Sequence, residues 1–267
     1  MGGNLFLGSS LNQNDRNTYE IYFGLRMPIV RSGALYVNPQ GVQNAASYAP
    51  TGNPIAPGEL IYLYVSGLTV TPQTATPPYP AALSGITVLI NGHPAPLYSV
   101  SMTQLVAVVP YATPGPTASI VVQANGLSSN TVTVPVAATA PGVFSQLENG
   151  SGLGAIRHTD YGVVTANNPA HSGEVVLIYL TGLGAVNPPV ADGAGGNADP
   201  LSLTTVTPTV TAGGMPATVL FSGMSAYPGL YQINVQLPAI PAGTTELPVT
   251  IATPNAFHDQ VEIAVAP

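Results

Sequence analysis

The sequence contains no lysine, no cysteine and no tryptophan, and only 6% of its 267 residues are charged. Soluble domains usually contain about 25% charged residues. The absence of cysteine excludes disulfide bonds and thiolate metal sites. Because four arginines are the only permanent cations and the net charge is −7, the chain has no basic patch for a phosphate backbone. We therefore expect no nucleic acid among its partners.

Long apolar runs are also absent, since no stretch approaches the roughly 20 residues that cross a bilayer. We expect no membrane span. The first residues lack a charged segment followed by a long apolar one, so no signal peptide is visible. A surface with so few charges is poorly soluble as a free monomer. It suits a protein covered by neighbouring subunits or by sugar, and we expect an extracellular or cell-surface location.

Short β-branched runs between turns dominate what is present, with 29 glycines and 28 prolines spread along the chain. Their spacing is typical of a β-sandwich, and no helix can be placed. The predicted strands are Leu60–Val65, Ile86–Ile90, Leu105–Val109, Ile120–Val122, Thr131–Val136, Val175–Leu180, Thr207–Thr211, Thr218–Phe221, Tyr231–Val235, Pro248–Ile251 and Val261–Val265. The predicted fold class is all-β.

The second half of the sequence repeats the first. Residues 57–68 correspond to 172–183, and residues 103–110 correspond to 231–238. One strand order used twice indicates two tandem immunoglobulin-like sandwich domains. The predicted organisation is an N-terminal extension over residues 1–37, a first domain over 38–137 and a second domain over 138–267.

The repeat unit resembles the IPT/TIG immunoglobulin-like domain, through a strand, an Asn-Gly-x-Pro-Ala turn, a Gln-x-x-Val-x-Val-Pro strand and a Pro-Gly turn. Residues 38–267 also resemble the Solibacter-type C-terminal domain family of secreted acidobacterial proteins. The matching segments are 44–48, 56–59, 91–92, 95–96, 140–144, 168–170, 181–189 and 229–235. The resemblance implies β-sandwich folds outside the cell and carries no catalytic motif.

The extension contains a strict alternation over residues 19–29. Its large apolar members stand at every second position: Tyr19, Ile21, Phe23, Leu25, Met27 and Ile29. A period of two predicts a strand with one buried face. Such a strand either lies on its own chain or enters a groove of the next subunit as a donor strand.

Insertion into a neighbour gains on the order of 9–18 kcal/mol from six apolar side chains. Ordering the segment opposes this by about 1–2 kcal/mol per residue. Head-to-tail insertion does not close on itself and yields filaments. We therefore predict a homopolymeric extracellular filament subunit. The alternative is a monomeric adhesin or carbohydrate-binding module, in which exposed tyrosines stack on surface glycans.

Candidate catalytic and ligand residues are few. Among the histidines, His158, with Asp160 two positions away, and His171 could converge in space. His93 lies in a turn, and the second repeat has Met215 at the matching position. No nucleophile elbow is present, so we expect neither an enzyme nor a cofactor. The loop with Asp192, Asn197 and Asp199 is a weak candidate for a Ca²⁺ site, and a plain glycine-rich turn is the alternative interpretation. Asn149 stands in a glycosylation sequon and is a weak candidate for that modification.

Overall fold

The computed structural model describes residues 5–11, 19–25, 34–49, 52–254 and 256–267. Over these residues every regular element is a β-strand, which confirms the predicted all-β class. No helix long and apolar enough to cross a membrane occurs in these ranges. The chain forms two compact units, residues 1–34 and residues 35–267.

The first unit contains two antiparallel strands, β1 (Leu5–Leu11) and β2 (Tyr19–Leu25). Leu5 pairs with Leu25 at one end of the ladder and Leu11 with Tyr19 at the other. The strand predicted over 19–29 is thus present as far as Leu25, whereas Met27 and Ile29 lie outside the described residues. The sequence analysis did not predict β1, because its glycine and serines resemble a loop.

The first sandwich in the second unit packs two sheets against each other, with strand orders β3-β4-β9-β8-β5 and β11-β10-β6-β7, and β12 beside β10. Its strands are β3 (Tyr36–Asn44), β4 (Leu60–Ser66), β5 (Gln73–Thr74), β6 (Ile86–Ile90), β7 (His93–Ala95), β8 (Leu97–Val100), β9 (Gln104–Val108), β10 (Thr117–Ala124), β11 (Leu127–Ser128) and β12 (Val132–Pro135).

The second sandwich repeats this arrangement with one continuous path, β13-β17-β22-β21-β20-β23-β24-β14. Its strands are β13 (Gly142–Val143), β14 (Gly152–Leu153), β15 (Ile156–His158), β16 (Ala170–His171), β17 (Val175–Thr181), β18 (Val186–Asn187), β19 (Leu203–Thr204), β20 (Thr209–Ala212), β21 (Met215–Met224), β22 (Tyr231–Gln236), β23 (Glu246–Ala252) and β24 (Phe257–Ala266). The path is continuous because β21 pairs with β20 in one sheet and with β22 in the other.

Proline explains why the first sandwich lacks such a continuous strand. Its counterpart of β21 is split into β7 and β8 at Pro96, where the repeat has Thr218. Proline has no N–H to donate to a ladder. The Pro96 carbonyl still accepts a hydrogen bond from the N–H of Val108 at 2.8 Å, so only the donor side of the ladder is lost.

Each sandwich has its own core of inward-facing apolar side chains. Ile61, Leu63 and Ile120 are completely buried in the first. Tyr231 and Ile233 are completely buried in the second. Alternation along the strands places these residues on the inner faces. The prediction of tandem immunoglobulin-like sandwiches is therefore confirmed.

Strand β3 was missed by the sequence analysis and begins before residue 38, where the first domain was predicted to start. It contains Pro39 and Gly41, which weaken a strand pattern, and its pairing with β4 skips from Val37 to Val42. A Cβ at Gly41 would lie 2.7 Å from the Cβ of Tyr64. The irregularity therefore needs glycine at this position.

The two sandwiches share one turn that stands before β4 and before β17. In each, a glycine with a φ of +74° precedes a glutamate, Glu59 or Glu174. One Glu59 oxygen accepts the N–H of Ala56 at 2.6 Å, and one Glu174 oxygen accepts the N–H of His171 at 2.8 Å. The carboxylate thus closes its own turn in both repeats.

The second oxygen of each glutamate binds a side chain on the neighbouring strand. Glu59 accepts a hydrogen bond from Nδ2 of Asn44 on β3 at 2.8 Å, whereas Glu174 contacts Nδ1 of His158 on β15 at 2.5 Å. Asn44 also donates to the carbonyl of Ala140 at 3.1 Å and accepts from two backbone N–H groups. Ala140 belongs to the segment that joins the sandwiches, so this network ties the first sandwich to the linker.

The linker itself is held by backbone hydrogen bonds at both ends. The N–H of Ala137 donates to the carbonyl of Ile55 at 3.0 Å, and the N–H of Ala140 donates to the carbonyl of Gly182 at 2.7 Å. A Cβ at Gly182 would meet the Ala140 oxygen. The two sandwiches therefore belong to one compact unit rather than to a chain of independent domains.

We predict that Glu59→Ala lowers the free energy of unfolding by about 1–3 kcal/mol, because the buried N–H of Ala56 loses its acceptor. The same change in the repeat, Glu174→Ala, should cost less than about 1 kcal/mol, because the Glu174 side chain is only partly buried and water can replace it at the exposed His171. Urea unfolding at pH 7 measures both. Equal losses at the two positions would contradict the role assigned to burial.

Candidate functional site

The outer face of the first sandwich is apolar where the second domain covers it. On β4 and β9 the inner face carries residues such as Leu63 and Leu105, while Leu60, Val106 and Val108 on the outer face are also buried. These outer residues pack in a separate cluster that includes the half-buried Phe144 of the second domain. The central strands of this sheet are therefore buried on both sides.

Side-chain and backbone hydrogen bonds fix the same junction. The hydroxyl of Thr181, which is completely buried, accepts the N–H of Leu60 at 2.8 Å and donates to the carbonyl of Gly229 at 2.7 Å. A Cβ at Gly229 would lie 2.7 Å from Leu60. The backbones of the two domains thus approach closely where a threonine bridges them.

The loop predicted as a weak Ca²⁺ candidate contributes to this junction. Oδ1 of Asp192 accepts the N–H of Tyr111 at 2.8 Å, and the carbonyl of Gly193 accepts the N–H of Tyr79 at 2.8 Å. Asn197 and Asp199 are exposed. Within the described ranges no group of three or more His, Cys, Asp or Glu side chains could hold a metal ion. Calcium at this loop stays a prediction, and Asp192 holds the loop against the first domain.

Two open cavities lie side by side along the junction. The first, of about 640 Å³, lies between Tyr62 of the first domain and the segment Ser145–Arg157 of the second. The second, of about 470 Å³, lies between Tyr79 and Tyr227. Tyr98 and Phe144 line both cavities. Because they share these lining residues, the two cavities are adjacent, and we call the pair the tyrosine groove.

Aromatic side chains give the tyrosine groove its character. Tyr79 and Tyr98 lie with ring centroids 5.3 Å apart, and Tyr62 contacts Tyr48 at 5.2 Å. Tyr98 is 39% exposed and Tyr227 is 56% exposed, so both present ring surface to solvent. Burial, together with the nearby hydroxyls of Tyr98 and Tyr227, raises the pKa of Tyr79 to about 12. The Tyr79 hydroxyl is therefore neutral at physiological pH.

Polar groups stand on the second-domain wall of the groove. Gln146 donates from Nε2 to the carbonyls of Val164 and Gly154, at 2.8 Å and 3.1 Å, so its amide is fixed in place. Glu148 and Arg157 are exposed, and Arg157 donates to the carbonyl of Tyr161 at 2.6 Å. These two are the charged residues that line the groove.

The histidine candidates of the sequence analysis do not converge on a reactive centre. His158 binds Glu174 through Nδ1 and contacts the carbonyl of Asn168 through Nε2 at 3.2 Å. Asp160 accepts the N–H of Gly162 at 2.8 Å within its own turn. The His-x-Asp motif therefore builds a loop. His93 and His171 are exposed on short strands.

His258, the fourth histidine of the chain, occupies a distinct environment. It is 4% exposed, and its Nε2 has no hydrogen-bond partner in the part of the chain that the structure describes. Burial outweighs the nearby charge of Asp259 and lowers the pKa of His258 to about 4. It is therefore a neutral imidazole at physiological pH.

The predicted sequon does not line the groove. Asn149, the sequon candidate, is exposed in a turn, where its side-chain oxygen accepts the N–H of Ser151 at 3.1 Å. The predicted donor strand belongs to the other compact unit. The sequence analysis did not find the groove, although the near-continuous apolar runs in 60–65 and 105–109 indicate strands covered on both faces.

Comparisons with known proteins find one family model that matches the first sandwich. Residues 46–136 match the family model of the IPT/TIG domain. This match confirms, for the first repeat, the predicted resemblance of the repeat unit to that domain. The resemblance of residues 38–267 to the Solibacter-type family stays a prediction. No curated protein matches the chain.

Solved structures with a similar arrangement include two surface glycan-binding proteins and an adhesin. The protein PbSGBP-B from Prevotella bryantii is 12% identical, with 86% of this chain and 42% of that chain covered and a TM-score of 0.27. SGBP-B of the Bacteroides ovatus mixed-linkage glucan utilization locus is 15% identical, with 86% and 46% covered and a TM-score of 0.33. The Escherichia coli adhesin FdeC is 12% identical, with 92% and 69% covered and a TM-score of 0.27. The chain spans less than half the length of the two glycan-binding proteins, and similarity at this level assigns it no function.

We predict a pH-dependent contribution of His158 to stability. Burial lowers its pKa, but the hydrogen bonds to Glu174 and Asn168 and the charges of Glu174 and Asp160 outweigh burial and raise the pKa above 6.5. A raised pKa in the folded state stabilises the protein fully below the unfolded-state value, and this contribution is lost as pH rises through the folded-state value. The difference in unfolding free energy between the natural protein and His158→Gln should therefore shrink between pH 6 and pH 9. Urea titrations at several pH values measure it, and a difference that grows with pH would refute the assignment.

Proposed function

We propose that this chain is a non-catalytic protein of the cell surface that binds glycans through the tyrosine groove. The observation that carries the proposal is the pair of exposed rings, Tyr98 and Tyr227, set in a groove whose floor and walls are fixed by the domain junction. This is the adhesin or carbohydrate-binding alternative of the sequence analysis, now given a location. The extracellular setting is part of the proposal and is supported by the low charge of the chain.

Exposed tyrosine rings suit sugars for a simple electrostatic reason. The face of an aromatic ring is negative, and the C–H bonds on one face of a sugar ring are weakly positive. The tyrosine hydroxyl adds hydrogen bonds to the sugar hydroxyls, and Gln146, whose Nε2 donors are both used within the protein, can accept one at Oε1. Tryptophan, a larger platform, is absent from the chain. Tyrosine and phenylalanine therefore supply all of the aromatic surface.

The groove does not support hydrolysis of a bound glycan. Glycosidases usually place two carboxyl groups on either side of the bond that breaks. Among the described residues that line the groove, Glu148 is the one carboxylate. Glu174 lies outside the groove lining and is used in the turn before β17 and in the contact with His158. Binding without catalysis is the function that this set of residues favours.

The rigidity of the groove follows from the junction beneath it. Tyr79 is 7% exposed, and its N–H is bound to the carbonyl of Gly193 in the other domain. Tyr98 packs on the Tyr79 ring. A platform that is ordered before the ligand arrives loses little entropy on binding.

We predict that Tyr98→Ala reduces binding of the full chain to its best glycan on an array by at least about fivefold, since one stacked ring contributes roughly 1–3 kcal/mol in comparable aromatic stacks. Tyr98→Phe should keep most of the affinity because the ring remains. The matched control is Phe257→Ala, which removes an aromatic ring that is 67% exposed outside the groove. Loss of binding in the control, or retention in Tyr98→Ala, would show that the groove is not the site.

A second candidate function is filament assembly by strand addition, as the sequence analysis predicted. The observation that favours it is that β2 lies in a separate compact unit with β1 alone. A two-stranded hairpin is marginally stable in water, so it gains from adding to the sheet of another molecule. The donor in this form is a hairpin rather than the single strand over 19–29.

Removal of residues 1–33 tests this second function. If the hairpin joins subunits, the full chain forms filaments visible by electron microscopy and the shortened chain stays monomeric in light scattering. Ile21→Asp should act like the deletion because it places a charge among the alternating apolar positions, whereas Glu20→Ser should not. Monomers of equal stability from all of these chains would exclude assembly through the extension.

A further inference from the structure

We infer that the tyrosine groove accepts an uncharged glycan chain that spans both cavities, with Tyr98 and Phe144 contacting its middle. This inference rests on the proposed glycan-binding function and specifies the class of ligand. It follows from the two residues that line both cavities and from the charge around the cavities.

The shared residues determine the form of the ligand. Tyr98 and Phe144 line the 640 Å³ cavity and the 470 Å³ cavity alike, so a ligand that stacks at Tyr98 reaches either side. Each cavity lies within the roughly 300–1,000 Å³ of ordinary small-molecule sites. A single sugar fills neither, whereas a chain of several sugars extends from Arg157 in the first cavity to Tyr227 in the second.

The arrangement of aromatic rings also favours the interior of a chain over its end. Tyr62 stands in the first cavity, Tyr98 between the two, and Tyr227 in the second, where the buried Tyr79 supports the Tyr98 ring. Rings at successive positions stack on successive sugars when the sugar faces are flat. Glycans with equatorial hydroxyls, such as β-1,4-linked glucose, present such C–H-rich faces.

Charge determines which glycans are excluded. Residues 35–267 contain nine Asp and Glu and a single Arg, with no Lys, so this unit is strongly negative. That one arginine lies in the groove, but Glu148 lines the same cavity. A chain of uronic acids meets repulsion from the unit as a whole and gains one cation, itself shared with the carbonyl of Tyr161. Neutral sugars carry no such cost.

The experiment is isothermal titration calorimetry of the full chain with cello-oligosaccharides of two to six sugars, and with oligogalacturonates of the same lengths as the acidic counterpart. We expect affinity for the neutral ladder to rise by at least tenfold from the disaccharide to a length that fills both cavities, and then to level off. The acidic ladder should bind at least tenfold more weakly at 150 mM salt.

Variants separate the two cavities. Tyr227→Ala alters the second cavity alone, so it should remove the gain from the longer chains and leave the disaccharide affinity within about twofold. Tyr98→Ala should weaken every length, and Phe257→Ala should weaken none. Circular dichroism and thermal unfolding check that each variant is folded.

The possible outcomes distinguish this inference from the proposed function. Equal affinity for short and long chains, or stronger binding of the acidic ladder, overturns the inference while glycan binding stands. Preference for another neutral chain on the array, with the same dependence on length and on Tyr227, supports it. Absence of binding to every glycan on the array overturns the proposed function and the inference together.

Discussion

The buried carboxylate of Glu59 is the constraint on which the domain junction depends. It is completely removed from water, and burial raises its pKa, against the opposing effect of its hydrogen bonds from Ala56 and Asn44. Burial of such a group is tolerated because both oxygens have donors. Nδ2 of Asn44 also donates a hydrogen bond to the carbonyl of Ala140. One hydrogen-bonded chain thus connects the turn before β4, the edge strand β3 and the segment between the domains.

The same turn serves two purposes in the two repeats. Around Glu59 the partner is a neutral asparagine and the site is covered by the other domain; around Glu174 the partner is His158 and the pair is partly exposed to water. Residues 35–267 contain no third domain that could cover the turn at Glu174. A duplicated turn has therefore become a junction element in one repeat and remains a surface ion pair in the other.

The sequence predicted the fold more completely than it predicted the candidate site. Alternating apolar residues and turn residues predicted strands such as Ile86–Ile90, because hydrophobic periodicity and turn-forming residues are local properties of the sequence. The repeat predicted two sandwiches. The groove depends instead on which residues from distant segments meet: Tyr98 and Phe144 become neighbours only because β4 and β9 bury their outer face under the second domain. Likewise, no local pattern showed that Asp192 binds the N–H of Tyr111, 81 positions away.

The hydrogen-bonded linker has a mechanical consequence. The backbone N–H groups of Ala137 and Ala140 are each hydrogen-bonded to a neighbouring segment. A force applied at the C-terminus therefore does not first extend a loose segment between the domains. The load passes directly into the backbone bonds around Ile55 and Gly182. Two sandwiches joined in this way transmit tension to each other without a compliant hinge between them.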